Sequence, residues 1–173
     1  MDIIYQRRSI RKYSDRPVEK EKIVEIIRAG MAAPSSENQQ PWFFMVIDDK
    51  EVLHKIPEFI WCAPVLKKSP CAILVCADKS YAKEPEEFWW VQDCAAATQN
   101  MLLEIEHQGL GGVWIGVHPD KQFVDGMKHL LDLPEEVVPF AIISLGYKGK
   151  EKEPTDRYYK ERVYHNKWKE AYE

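Results

Sequence analysis

The stretch EEFWWVQDCAAATQNMLLEIEHQG, residues 86 to 109, constrains the fold of this chain more than any other. Phe88, Val91, Ala95, Thr98, Leu102 and Ile105 step by three and four, which is one face of an α-helix. Trp90, Cys94, Ala97 and Met101 make a second apolar face. A helix apolar on two sides has to be covered on two sides, so it lies between layers or in a subunit interface. A central core helix of a monomer and an interfacial helix of a dimer both satisfy that requirement. The patch Ala95, Ala96, Ala97 lets another backbone approach closely.

The rest of the chain supplies what would cover such a helix. Its 173 residues suit one domain with a sizeable core. Residues 2–8 read as a short helix ending at a basic cluster. Pro17 is expected to open a second helix, with Ile23, Ile26, Ile27 and Gly30 as its core-facing stripe, and Pro34 bounds it. PWFFMVID (41–48), PCAILVCAD (70–78) and FAIISLGY (140–147) read as strands, and GGVWIGV (111–117) as a weaker one broken by glycines. The final segment, residues 148–173, is highly charged yet carries Tyr158, Tyr159, Val163, Tyr164 and Trp168. It is expected to be an arm that packs on something, with a second subunit as a candidate.

Charge and motifs exclude several functions. A net charge of −4 argues against a general nucleic-acid binder. No apolar run is long enough to span a membrane, and the N-terminus lacks a signal-peptide core. Cys62, Cys71, Cys76 and Cys94 form no CxxC pair, so a reducing cytoplasmic setting is expected. There is no P-loop, and GLGGVWIG has Trp114 where a third dinucleotide-binding glycine would stand. The five histidines are scattered without HExxH or zinc-ligand spacing, so no metal is expected.

Two polar stretches remain. RRSIR (7–11) sets Arg7, Arg8, Ser9 and Arg11 close together, and guanidinium forks with a hydroxyl match phosphate oxygens. In a helical or tightly turned segment, Arg7 and Arg11 would share a face. A solvated basic helix end has the same composition. APSSENQQPW (33–42) gathers small and amide side chains that suit a flat heterocycle, or equally an ordinary polar turn.

In order, RRSIRKY, APSSENQQPWFFMVI, GLGGVWIG and SLGYKGKEKEPTDR make the chain resemble the nitroreductase family of FMN-dependent oxidoreductases, from about Ile4 to Arg157. The resemblance implies an α+β fold, with a mixed, mostly antiparallel sheet flanked by helices, in an intertwined homodimer. It implies an FMN-binding domain over 1–147 and a C-terminal arm, 148–173, that belongs to the same domain and packs on the partner. The phosphate would be held by Arg7, Arg8 and Ser9, with Arg157 returning to the same group. Arg11 would lie beside the N1 and C2 carbonyl edge of the flavin, where reduction places negative charge. Pro34, Ser35, Ser36 and Asn38 would border the ring, partly from the partner chain. Trp114, Ile115 and Gly116 would present a backbone amide to flavin N5, glycine permitting the close approach. Before the strand at 70–78 the family often carries a polar flavin contact, for which Lys67 and Lys68 are the available substitutes.

The activity so implied is hydride transfer from NADH or NADPH through N5 to a nitroaromatic, quinone or similar acceptor, by a ping-pong sequence and without a catalytic acid or base. The alternatives are a non-enzymatic FMN carrier or redox sensor, and other flavin chemistry such as reductive dehalogenation.

Overall fold

The computed structural model describes residues 2–83 and 88–172. Its centre is a four-stranded sheet in the order β1-β2-β4-β3. The strands are β1 (Trp42–Ile47), β2 (Cys71–Asp78), β3 (Leu110–Gly116) and β4 (Val137–Tyr147). Every pairing between them is antiparallel, and among the described residues the parallel component is a single bridge from Ser9 to Gly112. β2 is apolar almost throughout because both of its faces are covered. Ile73 and Val75 point into one core, while Ala72, Leu74 and Cys76 point into the other.

Helices α2 (Lys20–Met31) and α4 (Trp89–His107) build the first core with Ile23, Ile26, Trp90, Met101 and Ile105. Helices α3 (Lys50–Lys55) and α5 (Lys121–Leu131) cover the opposite face, where Leu53, Phe123 and Met127 meet Leu74 and Ile142. The sequence reading had not identified α3 or α5. Each is capped by an aspartate: Asp49 accepts from Glu51 N–H at 2.7 Å, and Asp120 from Phe123 N–H at 3.2 Å. A short helix, α1 (Ile3–Gln6), opens the chain.

One boundary differs from expectation. α2 begins at Lys20, three residues beyond Pro17. Glu19 is held extended (φ −65, ψ 141), with its carboxylate accepting from Tyr147 Oη at 2.8 and 3.1 Å and paired with Arg16 at 2.6 Å. The beginning of the long helix at residues 86 and 87 lies outside the described residues. On α4, the face with Trp90, Cys94, Ala97 and Met101 is buried, as are Thr98, Leu102 and Ile105. The other apolar face is less covered than its composition suggests: Phe88 is half exposed, and Val91 and Ala95 are partly so.

Residues 148–172 run along the outside and bury almost nothing, with Tyr158 and Trp168 at 62% and 77% exposure. Among the described residues, no helix is long and apolar enough to cross a membrane.

Candidate functional site

The basic cluster is not helical. α1 ends when Arg7 turns to φ −53, ψ 127, and the chain then runs beside β3. Ile10 N–H donates to Gly112 O at 3.0 Å, Ser9 bridges Gly112, and Tyr13 bridges Lys148. Arg7 and Arg11, four residues apart, therefore still lie on one face, reached by the two-residue alternation of an extended segment and not by a helical turn. That alternation buries Ile10, leaves Arg7 and Ser9 half-buried, and exposes Arg11. Gly111 explains the close approach: a Cβ there would stand 2.7 Å from the Ile10 side chain.

Burial lowers the pKa of Arg7, and the positive charge of Arg8 lowers it further; Glu106 opposes the shift, and Arg157 adds to it. Among the described residues, no carboxylate lies within ion-pair distance of Arg7, and Glu106 is engaged by Lys148 at 2.6 Å. Arg8 spends its donors on backbone carbonyls, reaching Arg7 O at 2.8 Å, Glu153 O at 3.1 Å and Tyr5 O. It ties α1 to the arm. Lys152, which the sequence reading passed over, donates to Ser9 O at 2.9 Å. Ile10, Arg11, Lys12, Lys150 and Lys152 line a cavity of about 300 Å³. The sign of charge and the density of donors suit an anion.

At the end of β3, Trp114 stands edge-on to Phe140 with ring centres 5.7 Å apart, and Ile115 is buried in the second core. Gly116 is exposed, and a Cβ there would meet nothing within 4 Å. Packing within the chain gives no reason for glycine, whereas a flat ligand lying against this backbone would.

The 33–40 loop is built differently. Ser36–Asn38 forms one 3₁₀ turn, and Glu37, Asn38 and Gln40 take left-handed φ values of 47, 58 and 52. Ser35 Oγ accepts from Gln40 N–H at 3.0 Å, and Asn38 Oδ1 accepts from the Gln40 side chain at 2.8 Å. Asp93 on α4 accepts from Ser36 N–H at 2.9 Å. Burial raises the Asp93 pKa and the Ser36 N–H opposes that rise. Pro34, Ser35 and Ser36 line a cavity of about 420 Å³ together with Trp89, Gln92 and Asp93.

These features match known proteins. A sequence model described as the Nitroreductase family covers residues 4–65 and 61–147. This chain belongs to the nitroreductase family. A provisionally named NADH dehydrogenase/NAD(P)H nitroreductase of Archaeoglobus fulgidus is 44% identical over 171 residues, covering 97% of this chain and 98% of the relative. The crystal structure of a provisionally named NADH oxidase from Clostridium acetobutylicum superposes with a TM-score of 0.92 at 43% identity, covering 96% of this chain and 100% of that one. An FMN-dependent nitroreductase of Clostridium difficile gives a TM-score of 0.87 at 32% identity, covering 96% of this chain and 98% of that one.

In this nitroreductase-family chain the residues expected to form one site fall into two groups. Arg7, Ser9 and Arg11 are fastened to β3, whose end carries Trp114, Ile115 and Gly116, and Arg157 is close enough to act on Arg7. Pro34, Ser35 and Ser36 border a separate cavity on the α4 side, and Asn38 is bonded into the same loop through Gln40. Lys67 and Lys68 line a third, of about 710 Å³, with Tyr13 and His54. Asp93 and Lys152 escaped the sequence reading. An acid within an apolar helix face and the KGKEKEP run were the signals available for them.

Proposed function

We propose that this chain is an FMN-dependent oxidoreductase that takes hydride from NADH or NADPH and delivers it to an electron-poor acceptor such as a nitroaromatic or a quinone. The half-buried, carboxylate-free Arg7 beside Arg8 and Arg157 carries the reading, because such a cluster stabilises a bound phosphate. When bound, FMN supplies the redox chemistry at N5. The chain supplies placement: Arg7, Ser9 and Arg157 hold the phosphate, with Arg8 completing the cluster and clipping the arm. Arg11 sets a fixed positive charge beside the ring edge that becomes negative. Trp114 and Ile115 brace the strand end, and Gly116 leaves room for the ring.

The partner subunit completes the site in this reading. Pro34, Ser35, Ser36 and Asn38 of one protomer border the cofactor held by the other, which accounts for two separate cavities in a single chain. The open face of α4, exposed Ile4, Tyr5 and Met31, and the aromatic arm at 148–173 supply the apolar surface of a homodimer. The arm is one domain with residues 1–147 and packs on the partner. One pocket then serves donor and acceptor in turn, a ping-pong sequence, in a reducing cytoplasm that suits four free cysteines.

Heat-released pigment from the purified protein should chromatograph as FMN, and recovery of mainly FAD would overturn the assignment. Double-reciprocal plots of NAD(P)H oxidation at several quinone concentrations should be parallel; intersecting lines contradict the shared pocket. Sedimentation at micromolar concentration should show dimer, and a flavin-loaded monomer would refute the shared site.

A further inference from the structure

Asp93 is the sole buried carboxylate among the described residues, at 6% exposure, and nothing in the proposed chemistry uses it. A carboxylate taken out of water is unfavourable unless hydrogen bonds replace its hydration. The bond it makes crosses 57 positions of sequence, from the N-terminal part of α4 to Ser36 N–H. The loop that receives it is not held by local preference. Glu37, Asn38 and Gln40 are left-handed without being glycine, each at a cost of roughly 1–2 kcal/mol.

Such a conformation persists where surrounding contacts over-determine it. Two of those contacts, Ser35 to Gln40 and Asn38 to Gln40, lie within the loop and move with it. The contacts from Lys83 to Gln39 and Glu37 are exposed to water. Asp93 differs from these because it reaches the loop from a rigid helix and from a buried position. Ser36 and Asp93 also share a wall of the cavity that Pro34 and Ser35 line.

We propose that Asp93 is a positioning residue, fixing the 34–38 turn against α4 through Ser36 N–H in the conformation that borders the cofactor. The inference rests on the FMN reading for its functional consequence but not for its structural one. The test separates the two. Amide hydrogen exchange is followed in cofactor-free protein, and FMN affinity is measured separately by fluorescence quenching.

In Asp93→Ala, amides of residues 36–40 should exchange about tenfold faster while β2 and β4 keep their protection, and FMN should bind about tenfold more weakly. Asp93→Asn keeps a carbonyl oxygen for Ser36 N–H and should restore most of both. Asp93→Leu fills the space without an acceptor and keeps the test open if Asp93→Ala fails to fold. Unchanged exchange at 36–40 in the acceptor-free variants would overturn the proposal. So would equal acceleration in β2 and β4, which marks a residue of the general core, or an Asp93→Asn variant as loose as Asp93→Ala. A parent protein that binds no FMN would refute the cofactor reading and leave the exchange result standing.

Discussion

The segment 7–12 and the loop 33–40 are both polar stretches between regular elements, yet they are held by opposite means. The first is fastened by its backbone: Ile10 N–H to Gly112 O, Lys12 O to Gly149 N–H, and the bridges of Ser9 and Tyr13. Apart from Arg8, which donates to backbone carbonyls, and the buried Ile10, its side chains are therefore free to face a ligand. The second is fastened by side chains, with Ser35, Asn38 and Asp93 all bonded to the loop itself. Ligand contact and loop geometry are thus separable in the first region and entangled in the second. Charge replacement at Arg7 or Arg11 should alter binding with little structural effect, whereas polar replacement at 33–40 should loosen the backbone as well.

The largest disruption should come from breaking the backbone attachment. Gly111→Ala drives a Cβ to 2.7 Å from Ile10 and should lower unfolding stability by about 1–3 kcal/mol in urea titrations. Native stability in that variant would mean that the segment is held by something other than its seat on β3. Next comes Arg7→Ala, which should weaken FMN binding roughly ten- to hundredfold, about 1.5–3 kcal/mol, with the midpoint potential of saturated protein unchanged. A matching loss of urea stability would erase the contrast between the two regions.

On the loop side, Ser35→Ala removes the acceptor for Gln40 N–H and should cost about 0.5–1.5 kcal/mol of loop order. It would appear as faster amide exchange at 36–40 accompanied by weaker FMN binding. Arg11→Ala sharpens the comparison from within the first segment. It should lower the midpoint potential by roughly 10–30 mV, since a lost interaction of about 0.5–1.5 kcal/mol acts on the reduced form of a two-electron couple. An unchanged potential in spectroelectrochemical titration would place Arg11 away from the ring.

The smallest effect concerns acid stability near the attachment of the first segment. Hydrogen bonding within its own residue, then from Tyr147 and Arg16, holds the Glu19 carboxyl down at about 2, against an ordinary 4.5. A depressed carboxyl contributes stability above its unfolded pKa, and that contribution is lost as pH falls from about 4.5 through about 2. Glu19→Gln should flatten this part of the stability profile. Its exposure keeps the change modest. An identical acid limb in parent and variant would show that the Tyr147 contact contributes nothing.

The legible parts of this molecule are those where neighbours in sequence are neighbours in space. The stripe of Ile23, Ile26 and Gly30, the apolar run of β2 and the buried face of α4 all follow from periodicity, because each element repeats its own geometry. The order of the polar motifs was enough to indicate the family. α5 carries comparable local signals, with Asp120 as its cap and Phe123 and Met127 one turn apart.

What only the tertiary structure decided is how the polar motifs are presented. RRSIR is compatible with a helix until Gly112 offers a strand edge to pair with, and that pairing makes the face shared by Arg7 and Arg11 the face of an extended segment, with Ser9 between them. Lys152 finds Ser9 across 143 positions, and Asp93 finds Ser36 across 57. Such bonds are set by where the packed sheet and helices place chain segments that are remote in sequence. Residue order determines which groups are available and which local shapes they prefer. Burial, the loss of water around them, and the partners that packing supplies determine which of those groups meet.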